Sequence, residues 1–305
     1  MITEQPLKGF DNKMSYKSLD YPVCSCGKCP KMFWNALFVA SKQSGKTHST
    51  CMLIRHLEEN KLMKNGVEYG VRTIVISPTL QANEVYTTLK SLDMEQDAHD
   101  SYSDELLLDI IDDVKSKRDE YNEWLEYVDI YKKFMKIKTD EGLNKLYDEN
   151  PEAFQRLEEN EFKHYNEVPH EKAVVTIILL DDLLGSGSFS NKTRSALTNA
   201  MIKNRHIGGG ICFGLMVQSL KCVPKNIRLN CSVFFLGKFQ NKKIILEDIY
   251  EEISNVCKIE HFEELYDYAT DKPYGALIID TTHGKRFLSN WDKELFHSEI
   301  ESLKK

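Results

Sequence analysis

The chain has 305 residues, 41% of them apolar and 10% aromatic, which is enough to bury one substantial core or two modest ones and too apolar for a disordered scaffold. Its apolar runs, such as 174–180, fall far short of the roughly 18 residues a bilayer crossing needs. The opening MITEQPLKGFDNK also lacks the basic-then-apolar order of a secretory signal, so an intracellular protein with no membrane span is expected, not a secreted one. The net charge of −7 argues against a nucleic-acid partner until it is divided along the chain. Residues 95–170 hold 22 acidic and 10 basic side chains, and the rest holds 25 and 30, a mild basic excess that permits a DNA backbone partner.

An N-terminal arm, residues 1–30, ends in the C-x-C-x-x-C of Cys24, Cys26 and Cys29. Three thiolates so spaced can hold zinc if a fourth ligand arrives. None lies nearby in sequence, so free thiols on a flexible arm are the expectation. The other cysteines (51, 212, 222, 231 and 257) are scattered, several of them inside apolar runs, as expected of reduced thiols.

The first predicted strand is 37–39, followed at once by Ala40, Ser41, Lys42, Gln43, Ser44, Gly45, Lys46 and Thr47. A strand, a turn of small residues and a helix opening at Thr47 make a phosphate-binding loop for ATP. Gly45 lets backbone N–H groups curl around an anion, Lys46 reaches the β and γ phosphates, and the Thr47 hydroxyl ligates Mg2+ at the positive end of the helix. Lys42 adds a further charge beside the phosphates. Ala40 stands where the G-x-x-x-x-G-K-[ST] pattern has its first glycine, and its methyl is tolerable only at negative φ.

A second strand is predicted at 73–77. Beyond it, Leu106, Ile110, Val114, Tyr121, Leu125, Val128 and Met135 recur at helical spacing. With Pro151 and Pro169 as breaks, residues 95–170 read as an acidic helical insertion that projects from the sheet, and a solvated decoration is a simpler account of it than a docking arm. The strand 174–180 then ends in Asp181 and Asp182. Charge at the end of a buried strand requires compensation, and the carboxyl ends of parallel strands are where open α/β sheets bind ligands. Asp181 is assigned to Mg2+ and Asp182 to the attacking water. A helix N-cap would use one Asp, and rarely two.

Gln218 closes the next strand, 211–217, and is the candidate γ-phosphate sensor. Arg205, just before that strand, lies at the end of the sheet away from the phosphate loop; a plain surface role aside, its use is as an arginine finger in a neighbouring subunit's site. Lys221, Lys225 and Arg228 follow as a basic cluster, with Arg228 the reserve finger. After a strand at 233–236, residues 274–288 read as a hairpin extending the sheet. The fold class expected is α/β, a P-loop NTPase of the ASCE type: a mainly parallel sheet with helices on both faces, a C-terminal β-hairpin and an acidic helical insert. The core would comprise 31–94 and 171–290, with a tail at 291–305.

In this order the elements resemble the FtsK/HerA superfamily, and most closely the genome-packaging ATPases of nucleocytoplasmic large DNA viruses, of the poxvirus kind. The resemblance rests on Ala-Ser-Lys-Gln-Ser-Gly-Lys-Thr (40–47), Ser-Pro-Thr-Leu-Gln (77–81), Leu-Leu-Asp-Asp (179–182) and Asn-Arg-His (204–206). It continues through Val-Gln-Ser (217–219) and Val-Pro-Lys-Asn-Ile-Arg-Leu-Asn (223–230). The first and third are generic to P-loop ATPases; the last three together are the narrow signal. The resemblance implies a homo-oligomeric ring that hydrolyses ATP and drives double-stranded DNA into a preformed capsid. It also implies capsid or membrane-associated virion proteins as partners, in the host cytoplasm or virus factory and in the virion. Ala40, an Asp182 where many relatives carry glutamate, and the acidic insert depart from that pattern. A non-packaging translocase or helicase, and a non-catalytic nucleotide-binding assembly protein, are the alternatives. Asp182-Leu-Leu-Gly185 also fits a GTPase D-x-x-G, but no N-K-x-D follows, and no Leu-Ser-Gly-Gly of transporter ATPases is present.

Overall fold

The computed structural model describes residues 21–183, 195–239, 257–284 and 286–297, together with 241, 243, 247 and 249–251. Most of the N-terminal arm, Gly185 of the D-x-x-G and the last eight residues therefore lie outside the described residues. Among the described residues no helix is long and apolar enough to cross a membrane.

The strands are β1 (Val23–Cys24), β2 (Asn35–Val39), β3 (Leu62–Lys64), β4 (Val67–Ile76), β5 (Ala98–His99) and β6 (Val174–Asp181). They continue with β7 (Ile211–Val217), β8 (Val233–Gly237), β9 (Ala276–Asp280), β10 (Arg286–Ser289) and β11 (Lys293–Leu295). They form a single sheet in the order β1-β3-β4-β6-β7-β2-β8-β9-β10-β11, with β5 beside β4. The five central strands β4, β6, β7, β2 and β8 run parallel. At one side β9, β10 and β11 add antiparallel strands, so the predicted hairpin does extend the sheet, and 293–295 of the tail belongs to it.

Helices cover both faces because the central strands are apolar at successive positions, not alternate ones. Leu37, Val39, Ile178, Leu180, Phe213 and Leu215 point to one face. There they meet α2 (Asp104–Phe134), α5 (Ala196–Lys203) and α7 (Ile259–Thr270). Phe38, Ala40, Ile177, Leu179, Cys212 and Met216 point to the other, against α1 (Lys46–Glu59) and the Cys24–Trp34 segment. Further helices include α3 (Asp140–Glu149), α4 (Pro151–Glu159) and the single turn α6 (Lys225–Arg228).

The acidic insert departs from its expected projection. The first half of α2 lies on the sheet, with Leu107, Ile110, Ile111 and Val114 in the main core. Arg72 of β4 pins it there, gripping Asp97 through Nε (3.0 Å) and Nη2 (2.6 Å) while Nη1 binds Asp113 on α2. Only the distal half leaves the sheet, where Tyr127, Tyr131 and Leu157 form a satellite core with α4. Leu125 and Met135, expected on the apolar stripe, are 38% and 61% exposed. A buried stripe that follows its partners over 31 residues drifts away from any fixed seven-residue repeat, and Met135 lies beyond the helix end.

Ala40 sits one step past β2, fully buried, and is not among the residues with positive φ. Space for its methyl comes from the neighbouring strand. Val39 pairs with Leu236, so Ala40 faces Gly237, where an added Cβ would stand 2.5 Å from the Ala40 Cβ. The glycine missing from the loop is thus offset by one on β8. Gly237→Ala is expected to destabilise the protein by about 1–3 kcal/mol through overpacking, and Ala40→Gly in the same chain should restore most of it. Urea unfolding of both variants is the check; a Gly237→Ala chain as stable as the parent would refute the pairing.

Candidate functional site

Sheet order assembles the site. β7 lies between β2 and β6 and runs parallel to both, so the loop after β2, the carboxylates after β6 and Gln218 after β7 emerge side by side. They line a cleft of about 520 Å³, bounded on the far side by Thr79, Asn83 and Val85 from the segment after β4.

The loop is shaped by two left-handed residues, Gln43 (φ 61°) and Gly45 (φ 84°), and by Ser44, whose N–H and Oγ both donate to the Ser41 carbonyl. Ala40 N–H donates to Val217 O, tying the loop to β7. Lys46 Nζ donates to the Ala40 carbonyl at 2.8 Å. Burial lowers the Lys46 pKa, and the charges of Asp181 and Asp182 oppose that shift. Gly45 precedes a helix of 14 residues with no side-chain cap, so the first N–H groups of α1 face the cleft as a ready anion site. Lys42 is exposed at the cleft edge.

Asp181 is 5% exposed. Its Oδ2 accepts from Tyr86 Oη at 2.7 Å and from Thr47 Oγ1 at 3.5 Å. Burial raises its pKa against the lowering effect of Tyr86 and Lys46, and the neighbouring Asp182 charge raises it further. Asp182 takes φ 52°, a left-handed conformation that Asp tolerates better than most residues. This turns it out of the strand, and its Oδ1 accepts from Gln218 Nε2 at 3.0 Å. The predicted pair therefore splits into a buried member against Thr47 and a more open member held by Gln218.

Two residues escaped the sequence reading. Tyr86 is fully buried in a 3-10 turn at Glu84–Thr88, and its phenol is held protonated by burial and by the adjacent Asp181 charge. Nothing in the sequence sets it apart from a core aromatic. Tyr274 has φ 61° and is 70% exposed; its ring lies so close to Gly45 that a Cβ there would meet Cδ1 at 3.3 Å. Tyr274 separates the cleft from a second cavity of about 800 Å³ between α1 and the β10–β11 turn, lined by Met52, His48 and Trp291 among others. Trp291 Nε1 donates to Ser49 O of α1.

Arg205 is exposed at the opposite end of the sheet, as expected. Its neighbour Asn204 is buried and donates to the carbonyls of Phe33 and Ile211 and to Asn35 Oδ1. Asn35 in turn donates to Met201 O and Asn230 O. Arg228 is half-buried on α6, at the same end of the chain's β7–β8 connection as Asn230. Neither arginine lines the cleft.

The cysteine-bearing stretch 23–29 is packed against the sheet, not loose as expected, and its cysteines are unbridged. Val23 and Cys24 pair with β3, Cys24 and Cys29 are buried, and the three sulfurs lie within 4.8 Å of one another, the one such cluster of potential metal ligands among the described residues. Burial raises the Cys26 thiol, but hydrogen bonds from Cys24, the backbone of Lys28 and Cys29, and His56 bring it down to about 6.

The fold is thus a mixed α/β one, a mainly parallel sheet with helices on both faces, and its loop and carboxylates meet at the carboxyl ends of the central strands. No family model matches the chain, and no curated protein matches it. Among solved structures it is similar to B204, the DNA-packaging ATPase from Sulfolobus turreted icosahedral virus, with a TM-score of 0.43 and 13% identity over 87% of this chain and 99% of that one. It is also similar to the genome packaging NTPase B204 of Sulfolobus turreted icosahedral virus 2 in complex with ATP-gammaS (0.42 and 14%, over 86% and 98%). A third is EssC, ATPases 2 and 3, from Geobacillus thermodenitrificans (0.42 and 17%, over 88% and 42%).

The raised Asp181 pKa has a definite sign for stability. Below the ordinary value of 3.8 folded and unfolded chains both carry the neutral acid. As pH rises past it, ionisation costs the folded state more than the unfolded one, so the carboxylate is destabilising at neutral pH. Asp181→Asn, which still accepts from Tyr86, should melt higher than the parent at pH 7, with the gap closing as the pH falls toward 3.8. Calorimetry across that range is the check, and a lower melting point at pH 7 would contradict it.

Proposed function

We propose that the chain is an ATP-hydrolysing motor that translocates double-stranded DNA into a viral capsid as part of a homo-oligomeric ring. The observation that carries the hydrolytic part is the convergence of Lys46, Thr47, Asp181, Asp182 and Gln218 on one cleft.

The residues suit a Mg-nucleotide. A buried carboxylate whose hydrogen-bond partners are two hydroxyls, with only the nearby Lys46 charge to offset its burial, has room for a cation, and a helix N-terminus with uncapped N–H groups beside it suits phosphate. Thr47 and Asp181 would hold Mg2+, which supplies positive charge against the phosphate oxygens. Lys46 would exchange its bond to the Ala40 carbonyl for the β and γ phosphates. Asp182 would accept the proton of the attacking water, and Gln218 would fix the carboxylate and sense the γ-phosphate. The base would lie past Tyr274, in the cavity flanked by Met52 and Trp291, because that cavity adjoins Gly45 and offers the aromatic faces an adenine stacks on.

Since Arg205 projects from the far end of the sheet, its place is a neighbouring subunit's cleft, as a finger in trans. The DNA-packaging part of the reading is carried by the sequence resemblance in 204–206, 217–219 and 223–230. Asn204 and Asn230 from that signal meet at Asn35, which supports reading those segments as one unit that presents Arg205.

Lys46→Ala is expected to abolish ATP turnover, and Asp182→Asn to lower it by roughly 10²–10⁴-fold with nucleotide binding retained. A coupled-enzyme assay with Mg2+, with and without double-stranded DNA, measures both. Absence of turnover in the parent chain would defeat the motor reading. Mixing Arg205→Ala with Asp182→Asn subunits should recover part of the activity that neither has alone, and failure at every mixing ratio would remove the finger.

A further inference from the structure

We propose that Cys24, Cys26, Cys29 and His56 form a zinc site that clips the N-terminal arm onto the helix carrying the phosphate loop. The site is independent of the proposed hydrolysis, and either can fail without the other.

Three of the four donors are already gathered. Cys24 and Cys26 sulfurs are 3.1 Å apart and Cys26 and Cys29 sulfurs 3.6 Å apart, with all three inside 4.8 Å. Around a tetrahedral zinc with bonds of about 2.3 Å, ligand sulfurs stand about 3.8 Å apart, so gathering these three on one ion requires shifts of under about 1 Å. The fourth donor is drawn from the last turn of α1, where the exposed His56 is near enough to help lower the Cys26 thiol; it stands outside the 4.8 Å sulfur cluster, so its imidazole would swing in when the ion binds. Three thiolates and one imidazole are a closed set of the kind structural zinc takes, and their softness disfavours magnesium or calcium.

The loop is also built as a thiolate holder. Gly27 (φ 66°) turns the chain so that its N–H donates to Cys24 O, and the Lys28 N–H then points at Cys26 Sγ at 3.4 Å. Backbone N–H groups aimed at sulfur favour the ionised ligand over the thiol. The loop's outer side is fixed by other elements. Ser25 N–H donates to Lys61 O, His283 Nε2 pairs with Cys29 O at 2.8 Å, Arg286 donates to Lys28 O, and Lys31 N–H donates to Thr282 Oγ1. Hydrogen bonds from the β9–β10 turn and the start of β10 thus hold the backbone at Lys28, Cys29 and Lys31, and a preformed loop lowers the ordering cost of binding a metal. The same loop contributes Lys28 to the cavity that contains Gly45 and His56, so the clip would fix one wall of the proposed base pocket.

The test is metal content of the full chain expressed with added zinc and purified without chelator. One zinc per chain is expected. The cobalt-substituted protein should show thiolate-to-metal charge transfer and the intense d–d bands of a tetrahedral site. Cys222→Ser, an exposed cysteine outside the cluster, should bind zinc like the parent, while His56→Ala should weaken it about tenfold or more and change the cobalt spectrum. If Cys26→Ser does not fold, the cobalt spectrum and thiol titration of the parent still decide. Zinc-free protein whose eight cysteines all titrate as free thiols would overturn the proposal. So would a Cys24–Cys26 disulfide in the purified chain, or a His56→Ala protein with unchanged affinity and cobalt spectrum.

Discussion

A carboxylate 5% exposed at the end of a strand buried on both faces has to be matched locally, because the sheet beneath it offers only apolar side chains and saturated backbone. The arrangement of the cleft follows from that one buried charge. Tyr86 is drawn in from the segment after β4 to donate to it, Thr47 approaches from the first turn of α1, and Lys46 lies close enough for its charge to be felt. Burial still outweighs these partners, so the pocket retains an excess of negative character where a divalent cation would sit. Asp182 avoids the same burial by turning left-handed at once and passing its carboxylate to Gln218. Two adjacent identical residues thus reach different environments through a single backbone rotation.

The opposite end of the sheet is organised by amides. Asn35, at the start of the strand that leads into the phosphate loop, donates to the carbonyls of Met201 and Asn230 and accepts from Asn204. Two buried amide side chains would be costly there if unmatched; linked to each other and to the carbonyls of Phe33, Met201, Ile211 and Asn230, they fix the starts of β2, β7 and β8 relative to one another. Register set at this end is delivered by rigid parallel strands to the cleft at the other. The exchange between Ala40 and Gly237 works in the same way across β2 and β8.

The central strands were legible because a parallel strand buried on both faces leaves a continuous β-branched run, and their ends located Asp181, Asp182 and Gln218 without structural help. β1, β3, β5 and β11 were not legible, since two or three residues carry no periodicity. Tyr86 could not be singled out because its contact with Asp181 spans 95 positions, and a phenol in a core looks the same in sequence whether or not it meets a charge. The nearness of His56 to Cys26 was missed for a related reason. A search for a fourth ligand near the cysteines could not anticipate that β2 and α1 return the chain to its start. The insert was read as helical from its spacing, but which half is core depends on Arg72 reaching Asp97 and Asp113, and that is a property of the fold.

The division of α2 into a docked half and a free half has a mechanical side. Beyond Val114, residues 115–134 of the helix extend for about 30 Å, stiffened at the tip by the aromatic packing of Tyr127, Tyr131 and Phe134 against α4 and the 162–165 segment. The base is bolted to β4, whose next segment lines the cleft. A tilt of about 5° at that base sweeps the tip through about 2.6 Å. The insert thus carries a stiff, acidic tip about 30 Å from its last contact with the main core at Val114.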